Sequence, residues 1–195
     1  MRTFVALDID DAIRERLALF MDGVRGFAPD ARWVKPQSIH VTLKFIGENP
    51  PEVVRRIQQE LAAVHMPAFE IAFQGYGFFP TSKRARVFWI GIQSGPQISA
   101  LAKAVDEATH AMGIPGEQHP FSPHLTLARG GGGSGMPRQS KTDRPNSQFR
   151  RLQETLCALP APEFGTTIAR EFFLYESQLL SGGARYTKIA RFALA

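Results

Sequence analysis

The sequence is poor in cysteine and has no long apolar run. Its single cysteine, Cys157, excludes an intramolecular disulfide and a cysteine-rich zinc site. No stretch approaches the roughly 18 consecutive apolar residues of a membrane-spanning helix, so we expect no membrane partner. The chain also reaches the charged Asp8 too early for a secretory signal peptide. These absences predict a cytoplasmic protein.

The chain does contain enough apolar residues for a sizeable core. Of its 195 residues, 44% are hydrophobic, which suits one large domain or two small lobes that share a cleft. It carries 23 Lys and Arg against 18 Asp and Glu, so its net charge is +5. This surplus favours a polyanionic partner.

One four-residue pattern occurs twice, as His40-Val41-Thr42-Leu43 and as His124-Leu125-Thr126-Leu127. In a β-strand, successive side chains point to opposite faces. The histidine and the threonine of each copy therefore share one face, while the apolar residues share the other. Two such pairs that face each other predict a symmetric site.

The two pairs suit acid–base chemistry on a phosphate. One of His40 and His124 can accept a proton while the other donates one, because imidazole titrates near neutral pH. The hydroxyls of Thr42 and Thr126 can donate hydrogen bonds to phosphate oxygens. No carboxylate lies at ligand spacing to either histidine, and no His-Glu-x-x-His motif occurs. We therefore expect neither a metal nor another cofactor.

Landmarks around the two motifs recur in the same order. Each motif follows an apolar strand and one helix, and precedes a helix, a Pro-x-Phe sequence and a Phe-Phe pair. We infer an internal duplication within a single domain of residues 1–195, built from two intertwined lobes. The predicted fold is α+β, bilobal and pseudo-two-fold, with antiparallel sheets lining a central cleft and helices outside. Residues from about 130 to 146 are predicted to form a Gly-rich basic loop.

Periodicity and chain breakers give the element boundaries. The motif strands are predicted at Ser38–Ile46 and Phe121–Arg129. Gly75-Tyr76-Gly77 is predicted to separate two strands, and Thr166–Tyr175 is predicted to form a single strand. Cys157 falls on an apolar helix face, where we expect a core residue rather than a nucleophile.

The two motifs, the second in the context Ser122-Pro123-His124-Leu125-Thr126-Leu127-Ala128-Arg129, resemble the signature of the 2H phosphoesterase superfamily. Its RNA 2′,3′-cyclic phosphodiesterase branch, also called 2′-5′ RNA ligase, is the most similar. Further segments carry the resemblance along the chain: Phe4-Val5-Ala6-Leu7, Trp33-Val34-Lys35-Pro36, Lys44-Phe45-Ile46-Gly47 and Leu174-Tyr175-Glu176-Ser177. The resemblance implies metal-independent hydrolysis of a 2′,3′-cyclic phosphate, on an RNA end or a small cyclic nucleotide, to a 2′-phosphate.

The resemblance also implies a role for each motif residue. His40 matches the proton donor to the departing 3′ oxygen, and His124 matches the acceptor that activates water, although near-symmetry leaves these roles exchangeable. Thr42 and Thr126 would hold the phosphate oxygens. Arg129, just beyond the second motif, is well placed for a phosphate as well.

Other residues are candidates for holding the RNA. Tyr186, in a Gly-Gly-x-x-Tyr context, is the aromatic residue that we select for stacking on a base. Trp33, Phe79 and Trp89 are further candidates, of which we expect most to be core. A positive rim of the cleft is predicted from Lys35, Lys44, Lys83, Arg84 and Arg86. We expect a monomer.

Two alternative functions stay open at this point. The same groups could run a reversible 2′-5′ RNA ligation, in which a ribose hydroxyl replaces water. From a different class, the protein could be a non-catalytic RNA-binding or nucleotide-binding module. A His124→Ala variant separates an enzyme from a module, because only an enzyme has a rate to lose.

Overall fold

The structure is a computed structural model that describes residues 1–130, 147–181 and 183–195. The predicted Gly-rich loop lies outside these described residues, apart from Gly130. In the described part of the chain, no helix is long and apolar enough to cross a membrane.

The described residues form β-strands and α-helices that are mixed along the chain. The strands are β1 (Arg2–Leu7), β2 (Arg32–Trp33), β3 (Val41–Glu48), β4 (Phe69–Phe79), β5 (Val87–Ser94), β6 (His124–Arg129), β7 (Glu163–Ala169), β8 (Glu171–Leu180) and β9 (Gly183–Ala193). The α-helices are α1 (Asp11–Val24), α2 (Pro51–Ala62), α3 (Gln97–His110) and α4 (Arg150–Cys157).

The strands form two antiparallel sheets that line a central cleft. The first sheet has the order β3-β1-β8-β9, and the second has the order β2-β6-β5-β4-β7. Every described strand pairing is antiparallel. The predicted α+β class with antiparallel sheets is confirmed.

Each motif strand pairs with the strand that opens its half of the chain. In the first sheet β3 pairs with β1, and β1 pairs next with β8. In the second sheet β6 pairs with β5, and β5 pairs next with β4. The first half of the chain therefore supplies β2 and β4 to the second sheet, and the second half supplies β8 and β9 to the first. This exchange is compatible with the predicted duplication, which stays a prediction.

The helices pack apolar faces on the sheets. In α1 the buried residues Ile13, Leu17 and Met21 lie at helical spacing on one side. Burial of a leucine or isoleucine side chain contributes about 1.5–3 kcal/mol to the stability of the fold. Helix α2 begins with Pro51, whose missing N–H has no partner to lose in a first helical turn.

The predicted break at Gly75-Tyr76-Gly77 is wrong, because β4 runs through it. Pairing with β5 shifts register between Phe73 and Tyr76, as in a β-bulge, and resumes beyond it. Gly75 has a φ of +71°, which only glycine adopts without strain. At Gly77 a side chain would collide with the ring of Trp89, since an added Cβ would lie 2.1 Å from it.

The predicted single strand at Thr166–Tyr175 is also wrong. Strand β7 ends at Ala169 and pairs with β4 in the second sheet, whereas β8 begins at Glu171 and pairs with β1 in the first. The chain changes sheet at Arg170. The alternation of apolar and polar residues along a strand does not indicate which sheet the strand joins.

Cys157 is exposed, so its predicted place in the core is wrong. The buried face of α4 consists of Leu152 and Leu156, and Cys157 follows them at the end of the helix. Its Sγ atom lies 4.0 Å from the hydroxyl of Tyr76.

Candidate active site

A cleft of about 450 Å³ between the two sheets brings the predicted site residues together. This volume lies in the range typical of small-molecule sites. The candidate residues that line it are His40, Thr42, His124, Thr126, Arg129 and Tyr186. The first sheet and the segment before it supply three of them, and β6 of the second sheet supplies the others.

A short turn holds His40 at the edge of the first sheet. Residues Pro36–Ser38 form a 3₁₀ helix, and β3 begins only at Val41, later than predicted. The Nδ1 atom of His40 lies 2.8 Å from the carbonyl oxygen of Ser38. Because a carbonyl oxygen only accepts, Nδ1 carries the hydrogen, and Nε2 of the neutral ring is left as an acceptor.

His124 has the same arrangement on the second sheet. It is the first residue of β6, which begins later than the predicted Phe121. Its Nδ1 atom lies 2.7 Å from the carbonyl oxygen of Ser122. By the same argument Nδ1 carries the hydrogen and Nε2 is the acceptor. Both copies therefore present the same ring nitrogen to a substrate.

Aromatic rings surround His40. The ring centroid of Phe4 lies 4.7 Å from that of His40, and Tyr186 approaches edge-on at 5.2 Å. Tyr175 lies behind at 6.0 Å. These contacts shield much of the imidazole from water. His40 as a whole is half-buried, and it lines the cleft.

A different set of rings contacts His124. Phe79 packs edge-on at a centroid distance of 4.9 Å, and Trp89 lies at 6.3 Å. These two aromatic residues, predicted as candidates for stacking on a base, thus contact a motif histidine instead. Trp33 packs edge-on against Phe88, as expected of a core residue.

Burial lowers the pKa of His40 to about 4. The hydrogen bond to the Ser38 carbonyl and the negative charge of Asp8 act in the opposite direction. The positive charges of Arg129 and Arg14 lower the pKa further. At neutral pH the ring is therefore uncharged in the free protein.

Burial also lowers the pKa of His124. The hydrogen bond to Ser122 opposes this shift, and the charge of Arg129 adds to it. Arg129 is thus a charge that acts on both histidines. A bound phosphate anion would act the opposite way and favour an imidazolium.

The threonines follow their histidines on the cleft side of the strands. Thr42 of β3 and Thr126 of β6 are half-buried, and the apolar residues between and after them, such as Val41 and Leu125, are fully buried. This alternation agrees with the predicted strand faces. Arg129 lies at the exposed end of β6, where its guanidinium can reach the cleft.

Lys44 was predicted on the positive rim, and this prediction is wrong. Thr42 pairs with Ala6 and Lys44 pairs with Val5, so the residue between them is an extra residue in β3. This bulge turns Lys44 away from the cleft. Its fully buried side chain forms an ion pair with Asp106 of α3.

The remaining rim residues do not line the cleft that the described residues form. They are exposed and comprise Lys35, Lys83, Arg84 and Arg86. Arg2, at the start of β1, lines it instead and was missed. Nothing in the sequence around Arg2 distinguishes it from an ordinary surface arginine.

Sequence reasoning also missed the residues that orient the histidines. Ser38 and Ser122 act through their backbone carbonyls, and each stands two positions before its histidine. The repeated serine was a signal that could have identified them. Phe4 was known only as part of the opening strand, yet it supports the ring of His40.

The described residues contain no group of three or more His, Cys, Asp or Glu side chains arranged to hold a metal ion. The expected absence of a metal from the reaction stays a prediction.

Known proteins are similar to this chain in sequence and in fold. A family model described as LigT like Phosphoesterase matches residues 7–89, which include the first motif. A protein of Archaeoglobus fulgidus is 31% identical over 192 residues, which cover 98% of this chain and 99% of that protein. The chain belongs to the LigT-like phosphoesterase family. The Archaeoglobus member is named RNA 2′,3′-cyclic phosphodiesterase.

Two other members extend the comparison. A protein of Aquifex aeolicus with the same name is 34% identical over 169 residues, which cover 84% of this chain and 81% of that protein. The crystal structure of Escherichia coli LigT complexed with 3′-AMP superposes with a TM-score of 0.77 at 26% identity. The match covers 100% of this chain and 98% of LigT, so the family fold extends over both motifs.

Proposed function

We propose that this family member hydrolyses the 2′,3′-cyclic phosphate at the end of an RNA to a 2′-phosphate. The observation that carries the proposal is the matched pair of histidines on one cleft. In each histidine the Nδ1–H donates to the carbonyl oxygen of the residue two positions earlier, so Nε2 is available to the substrate. The names of the full-length relatives support the same activity.

The reaction assigns one proton transfer to each histidine. Water attacks the phosphorus, and Nε2 of His124 accepts its proton. The bond between phosphorus and the 3′ oxygen breaks, and the protonated Nε2 of His40 donates to that oxygen. The products are a 2′-phosphate and a 3′-hydroxyl. Because both transfers belong to imidazoles, the scheme contains no metal-dependent step.

The threonines and Arg129 stabilise the charge that develops on the phosphate. Thr42 and Thr126 lie beside the two histidines, so their hydroxyls can donate hydrogen bonds to the non-bridging oxygens. Arg129 adds a positive charge at the end of the same strand as Thr126. Donors fixed before the reaction need no reorganisation when charge moves onto these oxygens.

Substrate binding also favours the protonated imidazole that the reaction needs. The free site holds two uncharged imidazoles at neutral pH, yet the reaction needs one of them protonated. The phosphate anion favours the imidazolium and so raises the pKa of the nearby ring. Asp8 acts on His40 in the same direction, which supports His40 as the donor.

Among the aromatic residues that line the cleft, Tyr186 is the one that we select for the nucleoside. Tyr186 of β9 is half-buried and lines the cleft beside His40. We propose that its ring supports the base or ribose next to the reacting phosphate. A net charge of +5 would favour an RNA over a neutral ligand. A monomer and a cytoplasmic location remain our expectation.

The test is turnover of an oligoribonucleotide that ends in a 2′,3′-cyclic phosphate, in excess EDTA. We expect a product with a 2′-phosphate, and we expect His40→Ala and His124→Ala to lose about 10²–10⁴-fold in kcat. The matched control is His65→Ala, because His65 is exposed outside the cleft. Its rate should equal that of the wild type.

Other outcomes separate the alternatives. Wild-type protein that binds the oligonucleotide without turnover would leave a binding module as the better account. Joining of a 5′-hydroxyl RNA to the cyclic end, at high RNA concentration, would add ligation to the hydrolysis. Activity that survives both histidine substitutions would contradict the proposal.

A further inference from the structure

Arg14 connects α1 to the segment that carries His40. Its side chain is 17% exposed and its guanidinium faces inward. One nitrogen, Nη1, donates to the carbonyl oxygens of Pro36 at 2.7 Å and of Ile39 at 3.1 Å. The other, Nη2, donates to the carboxylate of Asp8 at 2.6 Å. A single side chain therefore bridges helix α1, the end of β1 and the turn before β3.

The two carbonyls that Arg14 binds in this turn, those of Pro36 and Ile39, lie on either side of Ser38, whose own carbonyl accepts from Nδ1 of His40. The backbone hydrogen bonds described within the turn are short-range, since the Ser38 N–H donates to Lys35 at 2.8 Å and the Ile39 N–H donates to Pro36 at 3.2 Å. A tilt of this peptide segment would move the Ser38 carbonyl and with it the imidazole. Arg14 fixes the segment at both ends.

We infer that Arg14 is a positioning residue for His40: by holding the Pro36 and Ile39 carbonyls it fixes the tautomer and the aim of that imidazole. The inference rests on the proposed function, in which His40 is a catalytic group. Arg14 itself does not line the cleft and so has no contact with the substrate.

The geometry requires arginine. Nη2 of Arg14 also donates to the carbonyl oxygen of Ile9 at 3.2 Å. A guanidinium is planar and presents several donors in a fixed fork, so it can serve three carbonyls and a carboxylate at once. Lysine places one compact charge and cannot span these four acceptors in the same orientation. Asp8 anchors the fork, and Asp8 is itself fixed by Lys188 of β9 and by the Ile9 N–H.

The network also sets the charge around His40. Among the described residues, the titratable and charged groups around His40 and the shared cleft are Asp8 with its partner Lys188, Arg2, Arg14, Arg129, His124, Tyr175 and Tyr186. Arg14 neutralises much of the field of Asp8. Its removal leaves the Asp8 carboxylate less compensated and opens the segment to water, and both changes raise the pKa of His40.

The experiment compares Arg14→Met and Arg14→Lys with a matched control, Arg16→Met. Arg16 lies on the same helix and also donates to a backbone carbonyl, that of Phe164 at 2.8 Å, but on β7. We expect Arg14→Met to lose about tenfold or more in kcat, with KM within about twofold of wild type. Arg14→Lys should lose less, and Arg16→Met should keep the wild-type kcat.

A second readout reports on the ring itself. The ¹⁵N chemical shifts of His40, followed against pH, give its tautomer and its pKa. We expect the wild type to show Nδ1–H alone and both Arg14 variants to show a mixture of tautomers. The pKa of His40 should rise more in Arg14→Met, which loses the charge opposite Asp8, than in Arg14→Lys. Arg14→Lys keeps the charge opposite Asp8, so it serves if Arg14→Met fails to fold.

Three results would overturn the inference: an unchanged kcat in Arg14→Lys, an equal loss in Arg16→Met, or an unchanged His40 tautomer. Failure of the proposed function is distinguishable from these. A wild-type protein without turnover would contradict the function, whereas the ¹⁵N shifts would still decide whether Arg14 orients the ring.

Discussion

The two histidine motifs share one hydrogen bond but differ in what holds it. His40 stands between a 3₁₀ turn and β3, and Arg14 of α1 binds the carbonyls on both sides of its partner Ser38. His124 opens β6 directly and follows Pro123, whose ring fixes the backbone torsion before it. A side chain stabilises the first segment, and a covalent ring stabilises the second.

The surroundings differ in charge as well. Burial lowers the pKa of both imidazoles, but among the described residues a carboxylate, Asp8, opposes this shift at His40 and none does at His124. Arg129 acts on both rings. The same four-residue pattern thus lies in two electrostatic environments, and this asymmetry supports unequal roles for the two copies. The sequence pattern alone left the roles exchangeable.

The threonines test whether the copies are equivalent toward the phosphate. Valine matches threonine in shape and removes only the hydroxyl, so Thr42→Val and Thr126→Val should each lose about 10²-fold in kcat. Steady-state rates on the cyclic-phosphate oligonucleotide measure this. Thr166→Val, at an exposed position of β7 outside the cleft, is the control. A loss confined to one copy would show that a single hydroxyl carries the charge stabilisation.

The pH dependence tests the charge that the two copies share. Because burial lowers both histidine pKa values, that of His40 to about 4, the free enzyme holds little imidazolium at neutral pH. The optimum of kcat/KM should therefore lie below pH 6.5, and kcat/KM should fall as the pH rises beyond it. Arg129→Gln removes a positive charge that disfavours the imidazolium. Both pKa values then rise, and the optimum of kcat/KM should move to higher pH by less than about one unit.

The direction of that shift is decisive. A profile of Arg129→Gln that moves to lower pH, or does not move, would contradict the account of Arg129 as a charge common to both rings. Arg86→Gln, an exposed arginine outside the cleft, should leave the profile in place.

Much of the site was predictable because it depends on local geometry. Alternation along a strand places His40 beside Thr42 whatever the rest of the fold does, and the repeat supplies a second pair. Lys44 was not predictable, since a bulge in β3 and the distant Asp106 decide where it points. The role of Arg14 was not predictable for the same reason, because the carbonyls of Pro36 and Ile39 that it binds lie more than twenty residues along the chain.

In the fold, too, local features were predictable and features that depend on distant strands were not. The predicted α+β class with antiparallel sheets was correct, and a helix lies before and after each motif, as expected. The continuation of β4 through Gly75 and the change of sheet at Arg170 depend on pairing with β5 and β1, which are far away in sequence. Register and sheet membership are properties of strand pairs, so a single segment does not reveal them.

The measurement that tests the unequal roles most directly uses a cyclic substrate in which sulfur replaces the bridging 3′ oxygen. A thiolate leaves without protonation, so the proton donor becomes dispensable while the base stays necessary. The account predicts that His40→Ala hydrolyses this substrate at nearly the wild-type rate and that His124→Ala stays inactive. Equal inactivity of both variants, or rescue of His124→Ala alone, would contradict it.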